Sequence, residues 1–162
     1  MIVVSDTSPL GSLALIDYLW LLQSIYTSIV IPDIVADELA AAQDIRIQQI
    51  PDLEWVQVQS LSDVATAETL QAVKKLDPGE AYAIALALQI KADELLIDER
   101  LGRREAKRYG LSVIGLLGIL VVAKQKSLIP KVQPVVEALI GQAGFRVSPR
   151  LYQQVLILSH EA

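Results

Sequence analysis

Short aliphatic runs alternate along this chain with longer stretches in which apolar residues recur at helical spacing. The runs at 2–5, 28–31, 55–58, 95–97 and 112–114 read as strands, and several lack polar alternation, as strands covered on both faces do. Ser8-Pro9 opens the first helix, because a serine oxygen caps free N–H groups and proline suits the first helical turn. Pro32 ends the second run and opens a helical segment over 33–42. Asp77-Pro78-Gly79-Glu80 leads into 81–88, which is apolar on nearly every side and is expected to be a central helix. Further helices are expected over 99–108, 115–126, 130–142 and 149–158, while 43–63, with one strand, is the longest excursion. Strand–helix alternation of this kind predicts βαβ units around a mostly parallel sheet, hence an α/β fold.

Composition narrows the chemistry. The 162 residues suit one domain, 52% of them are apolar, and aromatics are only 5%, so an aliphatic core is expected. There is no cysteine and one histidine, His160, which removes thiolate chemistry and nearly eliminates Ser-His-Asp hydrolysis and His-rich metal sites. The start of the chain reads as a strand, not a signal peptide, and no apolar stretch approaches the roughly 20 residues of a membrane span. A cytoplasmic location and no membrane partner are expected. The net charge of -5 argues against broad duplex binding but allows a local basic patch. Carboxylates are the reactive groups that remain.

Four of them hold unusual positions. Asp6 follows an apolar run at a strand exit, where open parallel sheets bind ligands; capping the next helix is an equal alternative. Asp98 repeats the arrangement after Leu95-Leu96-Ile97, with capping of the helix near Arg100 as its rival explanation. Glu38 falls by helical count on the apolar stripe of Ile34, Val35 and Ala42, where a surface glutamate is not expected, although it could snorkel at the core edge. Glu80 has capping-box spacing from Asp77 and also shares a face with Ala83, Ile84 and Ala87. Spacing does not separate the two roles. If the four acids converge, each pair about 5 Å apart repels by roughly 3 kcal/mol at an effective dielectric near 20. Such a cluster must protonate or bind a cation, and oxygen ligands without His or Cys select Mg2+ or Mn2+.

The sequence here resembles the PIN-domain nucleases, in particular VapC-like toxins of bacterial toxin-antitoxin pairs. The resemblance rests on Val4-Ser5-Asp6-Thr7-Ser8, Val35-Ala36-Asp37-Glu38-Leu39, Gly79-Glu80-Ala81-Tyr82-Ala83, and Leu96-Ile97-Asp98-Glu99-Arg100 followed by Gly102-Arg103. These motifs span a core of about residues 1–125, leaving 126–162 as a C-terminal helical tail of the same domain. The resemblance implies a Rossmann-like α/β/α sandwich and metal-dependent ribonuclease activity restrained by a small antitoxin, often in a homodimer. It matches Asp6, Glu38, Glu80 and Asp98 to the family's catalytic acids, and Thr7 or Ser8 to the hydroxyl beside the first. Asp6, Glu80 and Asp98 are the expected metal ligands. Glu80 stands where the family commonly has aspartate, and Ile97-Asp98-Glu99 replaces a threonine-containing turn, so either Asp98 or Glu99 could be the fourth ligand.

Arg100, Arg103, Arg104, Lys107 and Arg108 lie beside these acids. Arg100 and Arg103 are the expected substrate contacts, since arginine forks suit phosphate, and the expected substrate is single-stranded RNA. Glu99 and Glu105 offer the others ordinary ion-pair partners. Two opposing classes are a catalytically degenerate PIN module that binds RNA or a partner, and a receiver-like phosphoacceptor domain. A receiver needs paired acids at the first strand, and here Asp6 stands alone.

Overall fold

A computed structural model describes residues 1–162. The strands are β1 (Val3–Ser5), β2 (Ile29–Pro32), β3 (Val56–Gln59), β4 (Glu94–Leu96) and β5 (Val113–Ile114), each within a residue of its apolar run. All pair in parallel, in the order β3-β2-β1-β4-β5. The chain therefore winds outward from β1 first to one side and then to the other. The crevice beyond the ends of β1 and β4 is the topological switch point, where open α/β sheets bind their ligands.

Successive strand side chains face opposite sides of the sheet, and the core divides accordingly. Val3, Ile29, Ile31 and Leu96 pack with α1 (Thr7–Leu15), α2 (Trp20–Tyr26), α3 (Asp33–Ala40), α8 (Leu116–Gln125) and α9 (Gln133–Ala143). Val4, Val30, Leu95 and Ile97 pack on the other face with α5 (Ala65–Lys74), α6 (Pro78–Gln89) and α7 (Arg100–Arg108). The result is the expected three-layer α/β/α sandwich. Buried residues surround α6 on nearly every side, which is why its sequence carries no polar face.

Two helices lack a clear signal in the sequence. A turn at Asp17, with φ of 61°, divides α2 from α1 inside one apolar stretch, so periodicity does not mark the break. Only Ala67 and Leu70 of α5 are buried, too little for a visible stripe. The 43–63 excursion contains a short helix, α4 (Ile45–Gln48), and a 3-10 turn (Ile50–Asp52) before β3. Asp44 caps α4 by accepting from the Arg46 N–H at 2.9 Å.

The segment after Lys126 shares the first core. Ile129, Val132, Val135, Val136 and Leu139, with Val155 of α10 (Pro149–Leu158), join the same cluster as α1 and α8. Glu161 fastens this end: it accepts from Val132 N (2.6 Å), Gln133 N (2.9 Å) and Lys124 Nζ (3.0 Å), and Lys124 also donates to Ser159 O. Because the folded state favours the charged form, the Glu161 carboxyl lies below the usual glutamate range of 4.5, with the two backbone N–H groups and Lys124 outweighing burial. Glu161→Gln should cost about 1–3 kcal/mol in urea denaturation at neutral pH, the scale of hydrogen bonds to a charged group. The difference from wild type should shrink as pH falls through that lowered value, since a depressed carboxyl stabilises only while ionised.

Candidate active site

Asp6 stands at the end of β1, in the N-cap position of α1 with extended backbone (φ -77°, ψ 173°), yet its side chain makes no capping hydrogen bond. The capping explanation therefore does not hold for this residue. Its N–H donates to Leu96 O at 3.0 Å, which ties the residue to the end of β4, and it is only 3% exposed. Burial raises its carboxyl from 3.8 to about 7; the Thr7 N–H opposes the rise, and the negative charges of Asp77, Glu38 and Asp98 add to it.

Glu38 comes to Asp6 from the other side of the crevice. The buried face of α3 is Val35, Ala36 and Leu39, and Glu38 lies at its exposed rim, not on the stripe where helical counting puts it. The correction follows from the sheet end, where α3 overhangs open crevice instead of core. Thr7 Oγ1 donates to Glu38 Oε1 at 3.2 Å. Burial raises the Glu38 carboxyl, Asp77 adds to the rise, and the Thr7 hydroxyl opposes it. A Cβ on Gly79 would stand 3.2 Å from Asp6 Oδ1 and Thr7 Oγ1, and closer than 3.0 Å to Glu38 Oε1, so these three oxygens converge on one small space.

Glu80 resolves its two readings in an unexpected way. Asp77 caps α6, accepting from the Glu80 N–H at 2.9 Å, but no reciprocal bond from the Glu80 side chain to Asp77 N–H completes a capping box. The Glu80 side chain instead lies against α7, where a Cβ on Gly102 would stand 2.6 Å from Glu80 Oε2. Glu80 is 6% exposed, and burial raises its carboxyl from 4.5 to about 9, helped by Asp77, Asp6 and Glu99. Asp77, expected only as a cap, is thus a fifth acid of the cluster. The signal available in the sequence was its place three residues before Glu80, and a cap explained it fully.

Asp98 is half-buried past the end of β4. It caps a helix, but α8 and not α7: Oδ1 accepts from Leu116 N at 2.9 Å. Burial raises its carboxyl and Glu99 adds to that, against the Leu116 N–H and Arg103. Glu99 and Ser8 are exposed. Arg103 Nη1 donates to Ile97 O at 3.1 Å, so the side chain expected to meet phosphate braces the β4–α7 loop. Arg104 and Arg108 pair with buried Glu105 at 3.9 and 3.3 Å, the ordinary explanation for those two. Arg100 is exposed and forms no salt bridge. A cavity of about 860 Å³ opens beside the acids, with Ser8, Asp98, Glu99, Arg103, Phe145 and Arg146 among its walls.

The four expected acids border the switch point at three places, Asp6 and Glu38 before Gly79, Glu80 against Gly102 and Asp98 against Gly115, and no three carboxylates surround one point closely enough to form a ready-made cage. An oxygen-only donor set of this kind still fits Mg2+ or Mn2+, since Mg2+ is commonly held by one or two carboxylates and keeps several waters. The space before Gly79, with two carboxylate oxygens and a hydroxyl facing it, is where the donor set is densest.

Fold and site together define an α/β/α protein with a carboxylate cluster at the switch point of a parallel sheet. Over residues 2–161 the chain matches a family model described as a PIN domain, and it belongs to that family, whose members are generally nucleases and typically depend on divalent metals. No curated protein matches the chain. No helix is long and apolar enough to cross a membrane.

With raised values near 7 and 9, Asp6 and Glu80 bind their protons more tightly folded than unfolded. Stability without metal should therefore fall as pH rises from about 5 to 9, as urea midpoints in chelator would read. Asp6→Asn should flatten the lower part of that slope. A wild-type midpoint that rises over this range would contradict the buried, mutually repelling arrangement.

Proposed function

We propose that this chain is a divalent-metal-dependent endoribonuclease, and that it serves as the toxin of a type II toxin-antitoxin pair. The observation that supports the reading is that Asp6, Glu38, Glu80 and Asp98, from four separate elements, border one crevice with every one of their carboxyls raised. A protein gains nothing in stability by collecting like charges in a crevice, and the arrangement fits a site that a cation completes.

Asp6, with Glu80 and Asp98, would hold Mg2+ or Mn2+, and Glu38 with Thr7 faces Asp6 across the space before Gly79. When bound, the ion would neutralise charge at the phosphate and make water more acidic. The remaining steps belong to the chain. Asp98 has one oxygen fixed by Leu116 N–H, which leaves the other for the ion, and Glu38 at the exposed rim is the carboxylate free to orient a water for in-line attack on phosphorus. The water oxygen bonds to phosphorus as the P–O3′ bond breaks; the proton the water loses passes to solvent and the departing 3′ oxygen takes one from solvent, leaving 5′-phosphate and 3′-hydroxyl ends. Exposed Arg100 is the group available to a phosphate oxygen at the mouth, with Arg103 behind it.

A small antitoxin and a second copy of the chain are the proposed protein partners, and exposed Leu151, Ile157 and Leu158 on α10 offer either one an apolar surface. The absence of a three-carboxylate cage favours one other reading, a PIN module that binds RNA without cleaving it.

Asp6→Asn should reduce cleavage of single-stranded RNA in Mn2+ by more than about 100-fold, since even outer-shell changes at metal sites cost 10- to 100-fold. Retained RNA binding by that variant should accompany the loss. Cleavage that survives both chelation and Asp6→Asn would sink the nuclease reading, and wild-type binding with no cleavage in any divalent metal would favour the binding module.

A further inference from the structure

Three glycines border the cluster, and none of them is there for backbone freedom. Only Gly110 and Gly144 have positive φ; Gly79, Gly102 and Gly115 adopt conformations open to any L residue. Gly79 and Gly102 even lie within the first turns of α6 and α7, where glycine is a poorer helix former than alanine. What distinguishes them is the space in front of them. A Cβ on Gly79 would meet Glu38 Oε1, Asp6 Oδ1 and Thr7 Oγ1; on Gly102, Glu80 Oε2 at 2.6 Å and Ile97 Cδ1 at 2.7 Å; on Gly115, Asp98 Oδ1 and Arg103 Nη1 at 2.7 Å. Each acid of the quartet thus has an oxygen that occupies volume one missing Cβ leaves open. Elsewhere, nothing lies within 4 Å of a Cβ on Gly141, the contact on Gly11 is an ordinary 3.7 Å, and Gly118 makes room at 2.9 Å for Ile114 Cγ1, an apolar side chain and not a carboxylate.

We infer that Gly79, Gly102 and Gly115 are positioning residues, whose lack of a side chain sets where the four carboxylates stand along the crevice a divalent cation would enter. The inference rests on the nuclease reading and extends it to residues that carry no functional group. Gly79 matters most, because Asp6 and Glu38 reach the same side of it. A methyl group there would push the Glu38 carboxylate out of the crevice and fill the space between it and Asp6. A buried Cβ beside flexible carboxylate ends displaces those ends before it disturbs the core, so stability should change little.

The test measures Mn2+ binding by calorimetry on the full chain, with Mn2+ alone as the probe, alongside urea denaturation in chelator. Gly79→Ala should weaken Mn2+ at least about tenfold, as displaced ligands do, with a denaturation midpoint at or above that of wild type. Glu38→Asp, one methylene shorter, should weaken Mn2+ when alone but recover part of the loss in the Gly79→Ala chain. Gly141→Ala should leave Mn2+ binding unchanged. If wild type binds Mn2+ and Gly79→Ala binds it equally well, the inference is overturned while the nuclease reading stands. If wild type binds no Mn2+, both are overturned. Should Gly79→Ala fail to fold, restoration of the fold by Glu38→Asp supports the inference, and failure to restore it counts against it.

Discussion

The architecture answers to one electrostatic constraint: several carboxylates are held in a partly dry crevice where they repel each other. Asp6 is anchored by its own N–H to Leu96 O, so it cannot retreat from the end of β1. Asp98 is held by the first N–H of α8, and Glu80 is confined against Gly102. The fold pins Asp6, Glu80 and Asp98 through bonds to backbone or through close packing and Glu38 through the Thr7 hydroxyl, none of them through an ion pair with a cationic side chain. In the absence of a cation the cluster can relax only by taking up protons, which is why burial and like charge raise these carboxyls together.

That constraint explains the division of the basic residues. Arg104 and Arg108 neutralise buried Glu105 on the far side of α7, and Arg103 is tied to Ile97 O. Had any of them paired with Asp6 or Glu38, the site would be a structural ion-pair network and would have no need of a cation. Instead the positive charge stands at the cavity wall, in Arg103 and Arg146; Arg103 tempers Asp98 alone, and Asp6, Glu38 and Glu80 have no cationic partner. A polyanionic substrate fits such a surface only with a cation between the two negative partners.

The rest of the chain makes the crevice rigid. Both faces of the sheet are covered by aliphatic side chains, so the ends of β1 and β4 are fixed from either side. The segment beyond Lys126 adds to the first core and is clamped through Glu161, and Phe145 and Arg146 in the α9–α10 connection form part of the cavity beside the acids. Residues far along the chain from the motifs thus shape the approach to them.

Much of this was legible in the residues themselves. Five aliphatic runs located five strands within a residue; β1, β2 and most of β4 are buried on both faces and so apolar throughout, and the acids after β1 and β4 marked the edge where the sheet opens into a crevice. Periodicity could not separate α1 from α2, where only a left-handed turn at Asp17 interrupts one apolar stretch, nor reveal α5, which buries too little. Which acid caps and which faces the crevice was decided by tertiary structure. Asp6 and Glu80 sit where capping side chains belong and do not cap, Asp98 caps a helix 18 positions away, and Asp77 does both. Spacing along the chain fixes the reach of a side chain, but its direction depends on what packs against it, and here that is set by glycines from other elements.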